Sequence, residues 1–229
     1  MKPIDKIKTM LYMQKSLNNA TCGEGWESGY TNKNRLISWK RCIYMECAEL
    51  IDSFAWKHWK DLNGKIKREN VAVEVVDIWH FVMSLILETY KNENIGDIEK
   101  LSQDLISVKG FNEFVYDCDI LREDNMYEVI NDIEIIIHEC SGFEYNLGDL
   151  VANFIRLAMK CELNLQRLYE IYIGKNALNL FRQKHGYKEG TYKKIWDGKE
   201  DNEVMSEILK SGILQIDEIY KELEKRYKK

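Results

Sequence analysis

WKRCIYMECAELIDSFAWKHWKDLNGKIKRENVAVEVVDIWH, residues 39–80, carries two acidic pairs, Glu46 with Glu49 and Glu74 with Asp77. Each pair is spaced i, i+3, which on a helix puts both carboxylates on one face about one turn apart. Trp39, Ile43, Cys47, Leu50 and Phe54 form an apolar stripe that predicts a helix over 38–60. Val71, Val75, Ile78, Val82 and Leu85 predict a second over 67–91. The acids lie on the stripe beside each apolar one, so a helical hairpin brings the two pairs together. Gathered carboxylates repel one another unless a cation joins them, and a hard divalent ion takes oxygen ligands.

Outward from this hairpin the pattern stays helical. A single proline, Pro3, occurs in the chain, and most of the 13 glycines fall between periodic segments. An all-α fold follows, as one domain over 1–229. The first helix spans 3 to about 20 on Ile4, Ile7 and Leu11, and its stripe continues as Gln14 and Asn18. Two amides there are either a fraying end or polar groups aimed into a pocket. A glycine- and aromatic-rich surface loop follows. Residues 92–125 turn polar and predict a peripheral helical insertion. Further helices are expected over 124–140 (Tyr127, Ile130, Ile133, Ile137), 147–161 (Leu150, Phe154, Leu157), 165–184 and 213–228. The stripe of the helix over 165–184 begins with Leu168 and Tyr172 and continues as Lys175, Asn179 and Arg182, so a cationic face points inward. HGYKEGTYKKIWDGKEDN, at 185–202, has the composition of a loop that closes over an anionic ligand.

Composition narrows the function classes. Lys and Arg total 33 against 38 Asp and Glu, a net charge of -5 with no long basic run, which disfavours duplex nucleic acid. The N-terminus lacks the apolar core of a signal peptide and no apolar run approaches the roughly 18 residues of a membrane span, so no membrane partner and a cytoplasmic location are expected. The six cysteines (22, 42, 47, 118, 140, 161) contain no CxxC and are expected as reduced thiols.

Four carboxylates facing Lys175, Arg182 and Lys193 or Lys194 suit a polyphosphate and phosphoanhydride hydrolysis, with Glu49 placed to take the proton of an attacking water. A ferritin-like di-iron site would need Glu-x-x-His on two helices, and here only Asp77 with His80 approaches that pattern. A purely structural helical protein would leave these acids solvated.

ECAEL at 46–50, SFAWKHWK at 53–60, EVVDIWH at 74–80 and YIGKNALNLFRQKHGYKEGTYKKIWDGKEDN at 172–202 resemble the dimeric deoxyuridine triphosphatases (dUTPases), within the all-α nucleoside triphosphate pyrophosphatases. The similarity covers nearly the whole chain and is strongest to the epsilonproteobacterial branch. It implies a helical bundle with a four-helix metal-binding core and a mobile C-terminal region, 172–202, that closes on substrate. The implied activity is Mg²⁺-dependent hydrolysis of dUTP and dUDP to dUMP by a homodimer, which limits uracil incorporation into DNA and supplies dUMP. The nearest alternative is a pyrophosphatase for another nucleotide, such as dCTP or a damaged triphosphate. By position, Glu46, Glu49, Glu74 and Asp77 match the metal ligands, with Glu49 as water activator. Gln14, Asn18 and Asn202 match polar groups around the nucleoside, and Trp56 and His80 match its wall, Trp59 being the other tryptophan of that motif. Lys175, Asn179, Arg182, Tyr187 and Lys194 match the phosphate- and sugar-binding segment. An amide pairs with a uracil edge through both its donor and its acceptor and is mismatched by cytosine.

Overall fold

The computed structural model describes residues 1–227 except Leu62 and Phe143. Ten α-helices and one small hairpin are found among these residues: α1 (Pro3–Cys22), α2 (Trp39–Ile51), α3 (Arg68–Asn92), α4 (Ile98–Ile106), α5 (Phe111–Tyr116), α6 (Met126–Ser141), α7 (Leu147–Lys160), α8 (Leu165–Lys184), β1 (Ile195–Trp196), β2 (Lys199–Glu200), α9 (Asp201–Lys210) and α10 (Ile216–Arg226). The expected all-α class is observed. Residue 228 of the helix expected over 213–228 lies outside the described residues.

α1 opens on Pro3, whose missing N–H costs nothing in a first turn. It runs past Asn18, and both Gln14 and Asn18 are buried, which excludes the frayed-end alternative. α2 starts on Ser38, whose hydroxyl accepts the Arg41 N–H at 3.3 Å. It ends at Ile51, well short of residue 60. Past that point the side chain and backbone of Ser53 turn to α3: Ser53 Oγ accepts from Asn70 Nδ2 at 2.7 Å, and Ser53 O accepts from Lys67 N at 2.9 Å. Asp52 accepts from Trp56 Nε1 and pairs with Lys57, so both acidic and hydroxyl side chains offer the chain alternatives to helix. Phe54 still reaches the core from this non-helical stretch.

Ser53 beside Asn70 at one end and Trp39 stacked on Phe81 (centroids 6.1 Å apart) at the other make α2 and α3 antiparallel. α3 is the central helix, 25 residues long, with Trp79 stacked on Phe154 of α7 at 4.8 Å. By length and composition it would suffice to cross a bilayer, against the sequence expectation that no run approaches that length. In this molecule 78% of its apolar window is buried by other helices.

α4 and α5 occupy the stretch expected as an insertion, and their Leu101, Leu105, Phe111 and Phe114 enter the main core. On α6, Tyr127 is 58% exposed, contrary to the expected stripe. The buried face is set instead by Met126, Val129, Ile130, Ile133 and Ile136, which is the same periodicity shifted by one residue at its start. Asn146 and Asn164 cap α7 and α8 through their side-chain oxygens. The six cysteines are free thiols.

The segment expected as a loop after α8 contains structure. Asp197 and Gly198, both at positive φ, turn β1 into β2, the Asp-Gly signature of a tight hairpin. α9 then lies against α8 because Gly174 leaves room for it. A Cβ there would sit 2.7 Å from Met205 Sδ and 2.9 Å from Leu209 Cδ1. At the end of the described chain, Tyr227 lies among Phe181, His185, Tyr192 and Trp196, with centroids 5.1–5.5 Å away, and is nearly parallel to Tyr192.

Gly174→Ala would gain helix propensity but overpack α8 against α9. A net loss of about 1–3 kcal/mol is expected in urea unfolding.

Candidate active site

The α2–α3 pairing brings Glu46, Glu74 and Asp77 together, with one carboxylate oxygen from each lying within 4.8 Å of the others. Burial raises Glu46 to about 8, helped by the charges of Asp77, Glu49 and Glu74 and opposed by Lys175. Burial likewise raises Glu74 to about 7, with Asp77 and Glu49 adding to it and Lys175 and a hydrogen bond from Asn70 opposing it. Glu49, one turn after Glu46, is exposed and stands outside the three-acid group, although its charge is felt by both buried glutamates. Clustered oxygen donors whose negative charge is unfavourable on its own are the donor set a hard divalent cation satisfies. The group contains no histidine, which leaves the di-iron reading without its ligand pattern.

α8 supplies the opposing charge. Lys175, 2% exposed, has its Nζ 2.9 Å from Asp77 Oδ2 and donates to Asn202 Oδ1 at 2.8 Å. About two turns further on, Arg182 grips Asp201 through two bonds of 2.8 Å, Nε to Oδ2 and Nη2 to Oδ1. It also donates to Asn179 Oδ1 at 3.2 Å and Asn202 Oδ1 at 3.3 Å. Burial works against the charge on Asp201, but Arg182 and the Tyr192 hydroxyl hold its carboxyl below the usual value. The Tyr187 ring lies 5.8 Å from the Arg182 guanidinium and 5.9 Å from Lys194 Nζ. Asn202 therefore bridges the two cations, and α9, which sequence periodicity missed, carries it.

A second, neutral network adjoins this charged one, because α3 and α8 contribute to both. Gln14 Nε2 donates to Asn18 Oδ1 (2.9 Å) and Ser84 Oγ (3.1 Å). Gln14 Oε1 lies 2.6 Å from His80 Nδ1 and 3.1 Å from the Tyr172 hydroxyl. Asn18 Nδ2 donates to Ser84 Oγ at 3.0 Å, and Asn176 Nδ2 to Tyr172 Oη at 3.3 Å. Both N–H groups of Gln14 and its carbonyl oxygen are thus engaged within the protein. Asn18 retains one N–H and one lone pair. His80 stacks on Tyr172 at 4.4 Å, and its Nε2 is buried without a partner. Burial, then the charge of Lys175, lowers the ring to about 3, so it is neutral at physiological pH.

Of the residues singled out from sequence, Glu46, Glu74, Asp77, Lys175, Asn179, Arg182 and Asn202 form one connected site, and Gln14, Asn18 and His80 a second beside it. Trp56 is half-buried and packs edge-to-face with Trp59 at 5.4 Å in its own loop, with Trp59 62% exposed. Ser84, Asn176, Asp201 and Tyr192 were not anticipated, and Tyr172, expected only as an apolar start of the α8 stripe, also contributes its hydroxyl. Ser84 lies one turn beyond His80 on the acidic face of α3, a spacing that would have flagged it.

A family model described as dUTPase matches residues 6–187, from α1 through α8. The chain belongs to the dUTPase family. No curated protein sequence matches it significantly. Its activity is hydrolysis of dUTP, and the matched range holds the three-acid group, Lys175 and Arg182, whereas Asp201 and Asn202 lie beyond it.

The raised carboxylates give a signed pH dependence. An ordinary glutamate releases its proton near 4.5, whereas in the folded chain Glu74 holds it to about 7 and Glu46 to about 8. The folded state binds more protons across that window, so these two groups withdraw stability as pH rises through it. Without divalent cations, thermal unfolding should show a decline from pH 5 to 8 that is smaller in Glu46→Gln, and an added divalent cation should raise Tm more at pH 8 than at pH 6.

Proposed function

We propose that this dUTPase hydrolyses both dUTP and dUDP to dUMP, using Mg²⁺ at Glu46, Glu74 and Asp77 with Glu49 beside them, as a homodimer. The observation that carries this reading is the Lys175–Asp77 ion pair, which joins the acidic cluster to the cationic face of α8. A bound Mg²⁺ would supply Lewis acidity toward phosphate oxygens and acidify water. Lys175 and Arg182 neutralise the phosphates. Each rests on carboxylate oxygens, acceptors of the kind a phosphate also offers. Glu49, exposed and one turn from Glu46, accepts the proton of the attacking water as its oxygen bonds to phosphorus and the bridging oxygen leaves with the bond pair. Tyr187 and Lys194 close over the phosphate and sugar from the segment after α8, and Trp56 lines the nucleoside.

At the base, Asn18 offers one N–H and one lone pair, which meet a carbonyl and the N3–H of uracil. Cytosine presents an acceptor at N3 and an amino group beside it, opposing both. Gln14 supports Asn18 and His80 from behind.

Glu49→Gln is expected to lower kcat by about 10²–10⁴ while Mg²⁺ binding, followed by calorimetry, persists. A turnover panel of dUTP, dUDP, dCTP, dTTP and UTP should favour the first two. Equal rates on dUTP and dCTP would replace this reading with that of a broader nucleotide pyrophosphatase. Sedimentation should give twice the 27.2 kDa chain mass.

A further inference from the structure

We propose that Ser84 is a positioning residue that sets the donor–acceptor polarity of Asn18 and of His80 beside it, and so selects uracil over cytosine; this rests on Asn18 being the group that reads the base. Ser84 Oγ is fully buried and has one proton to give. The backbone carbonyl of His80 takes it at 2.8 Å, with Asn18 Oδ1 further off at 3.4 Å. The hydroxyl can then only accept from its other neighbours, and two amide groups face it, Gln14 at 3.1 Å and Asn18 at 3.0 Å. Each must present its NH₂. Turning either amide over would set a carbonyl oxygen against an oxygen lone pair among buried side chains.

The consequences propagate outward. With its NH₂ held by Ser84, Gln14 directs Oε1, an acceptor only, at His80 Nδ1, 2.6 Å away. His80 Nδ1 must therefore carry the ring proton, which makes the buried, unpartnered Nε2 an acceptor. Asn18 is held with its NH₂ toward Ser84 and its Oδ1 toward Gln14. Tyr172 does not impose this polarity, because its hydroxyl can give its proton to Met10 O at 3.0 Å instead. Asn18 thus presents a fixed donor at Nδ2 beside a fixed acceptor at Oδ1, while His80 Nε2 is a further acceptor left for a hydroxyl rather than for a carbonyl of the base. One carbonyl and the adjoining N–H of an imide fit the Asn18 pair, and the inverted edge of cytosine does not.

In Ser84→Ala the amides lose the group that forbids their inversion. The ratio of kcat/KM for dUTP over dCTP should fall at least about tenfold, the equivalent of about 1.4 kcal/mol, while Ser84→Thr, which keeps the hydroxyl, retains it. Ring ¹⁵N NMR of His80, assigned by difference from His80→Gln, should show the Nδ1–H tautomer in the wild type and a mixture in Ser84→Ala. A folded Ser84→Ala with the wild-type ratio and tautomer overturns the proposal. So does a wild-type His80 protonated at Nε2, a measurement that needs no Ser84 variant to fold. Asn18→Ala separates the two levels of inference. If it leaves the dUTP/dCTP ratio unchanged, the base-reading assignment fails, and with it the selectivity assigned to Ser84. If it lowers the ratio and Ser84→Ala does not, only the role of Ser84 fails.

Discussion

Like charges held close in a partly dry interior are costly, and the three acids between α2 and α3 are held that way by the packing of the two helices. The rest of the site can be understood as what makes this tolerable. Lys175 is buried against Asp77, which offsets part of the repulsion, and a lysine so buried would itself be costly without that partner and Asn202. Asn202 in turn requires α9 to lie close on α8, which requires Gly174. One electrostatic demand at the hairpin thus reaches the helix that completes the site.

The neighbouring network solves a different problem by different means. It contains no net charge, since His80 is held neutral by burial, and it is ordered by counting protons and lone pairs. Because α3 and α8 each carry members of both networks, the acidic-cationic cluster and the neutral network share one pair of helices. Sites mounted on helices in this way hold geometry better than sites mounted on loops.

Much of this was legible in sequence because burial writes a period into the chain. α1, α3, α7 and α8 stand close to where their apolar stripes place them, and three of the four paired acids, all but Glu49, converge with the cationic stripe of α8. The end of α2 was not legible. Phe54 and Trp56 continue a helical rhythm, while the bonds of Asp52 and Ser53 that break it go partly to α3. Tyr127 keeps helical spacing yet faces solvent, since periodicity gives the width of a face and only packing gives its edge. α9 opens on Asp201 and Asn202, polar residues whose burial depends on Arg182 and Lys175 far back in the chain. The engagement of Gln14 was hidden for the same reason: its partners Ser84, His80 and Tyr172 come from two other helices.

The ring cluster around Tyr227 bears on the order in which the molecule is made. Tyr192 stacks on Tyr227 and, through its hydroxyl, holds the Asp201 carboxylate that fixes Arg182. The cationic grip on α8 therefore rests on α9, and its surrounding rings include Tyr227, beyond α10. During synthesis from the N-terminus, the acidic hairpin can pair as soon as α3 emerges, whereas the Arg182 end of the site awaits Asp201 and Asn202 of α9. The nascent chain would pass through a stage in which the carboxylates are gathered and their counter-charges are still unplaced.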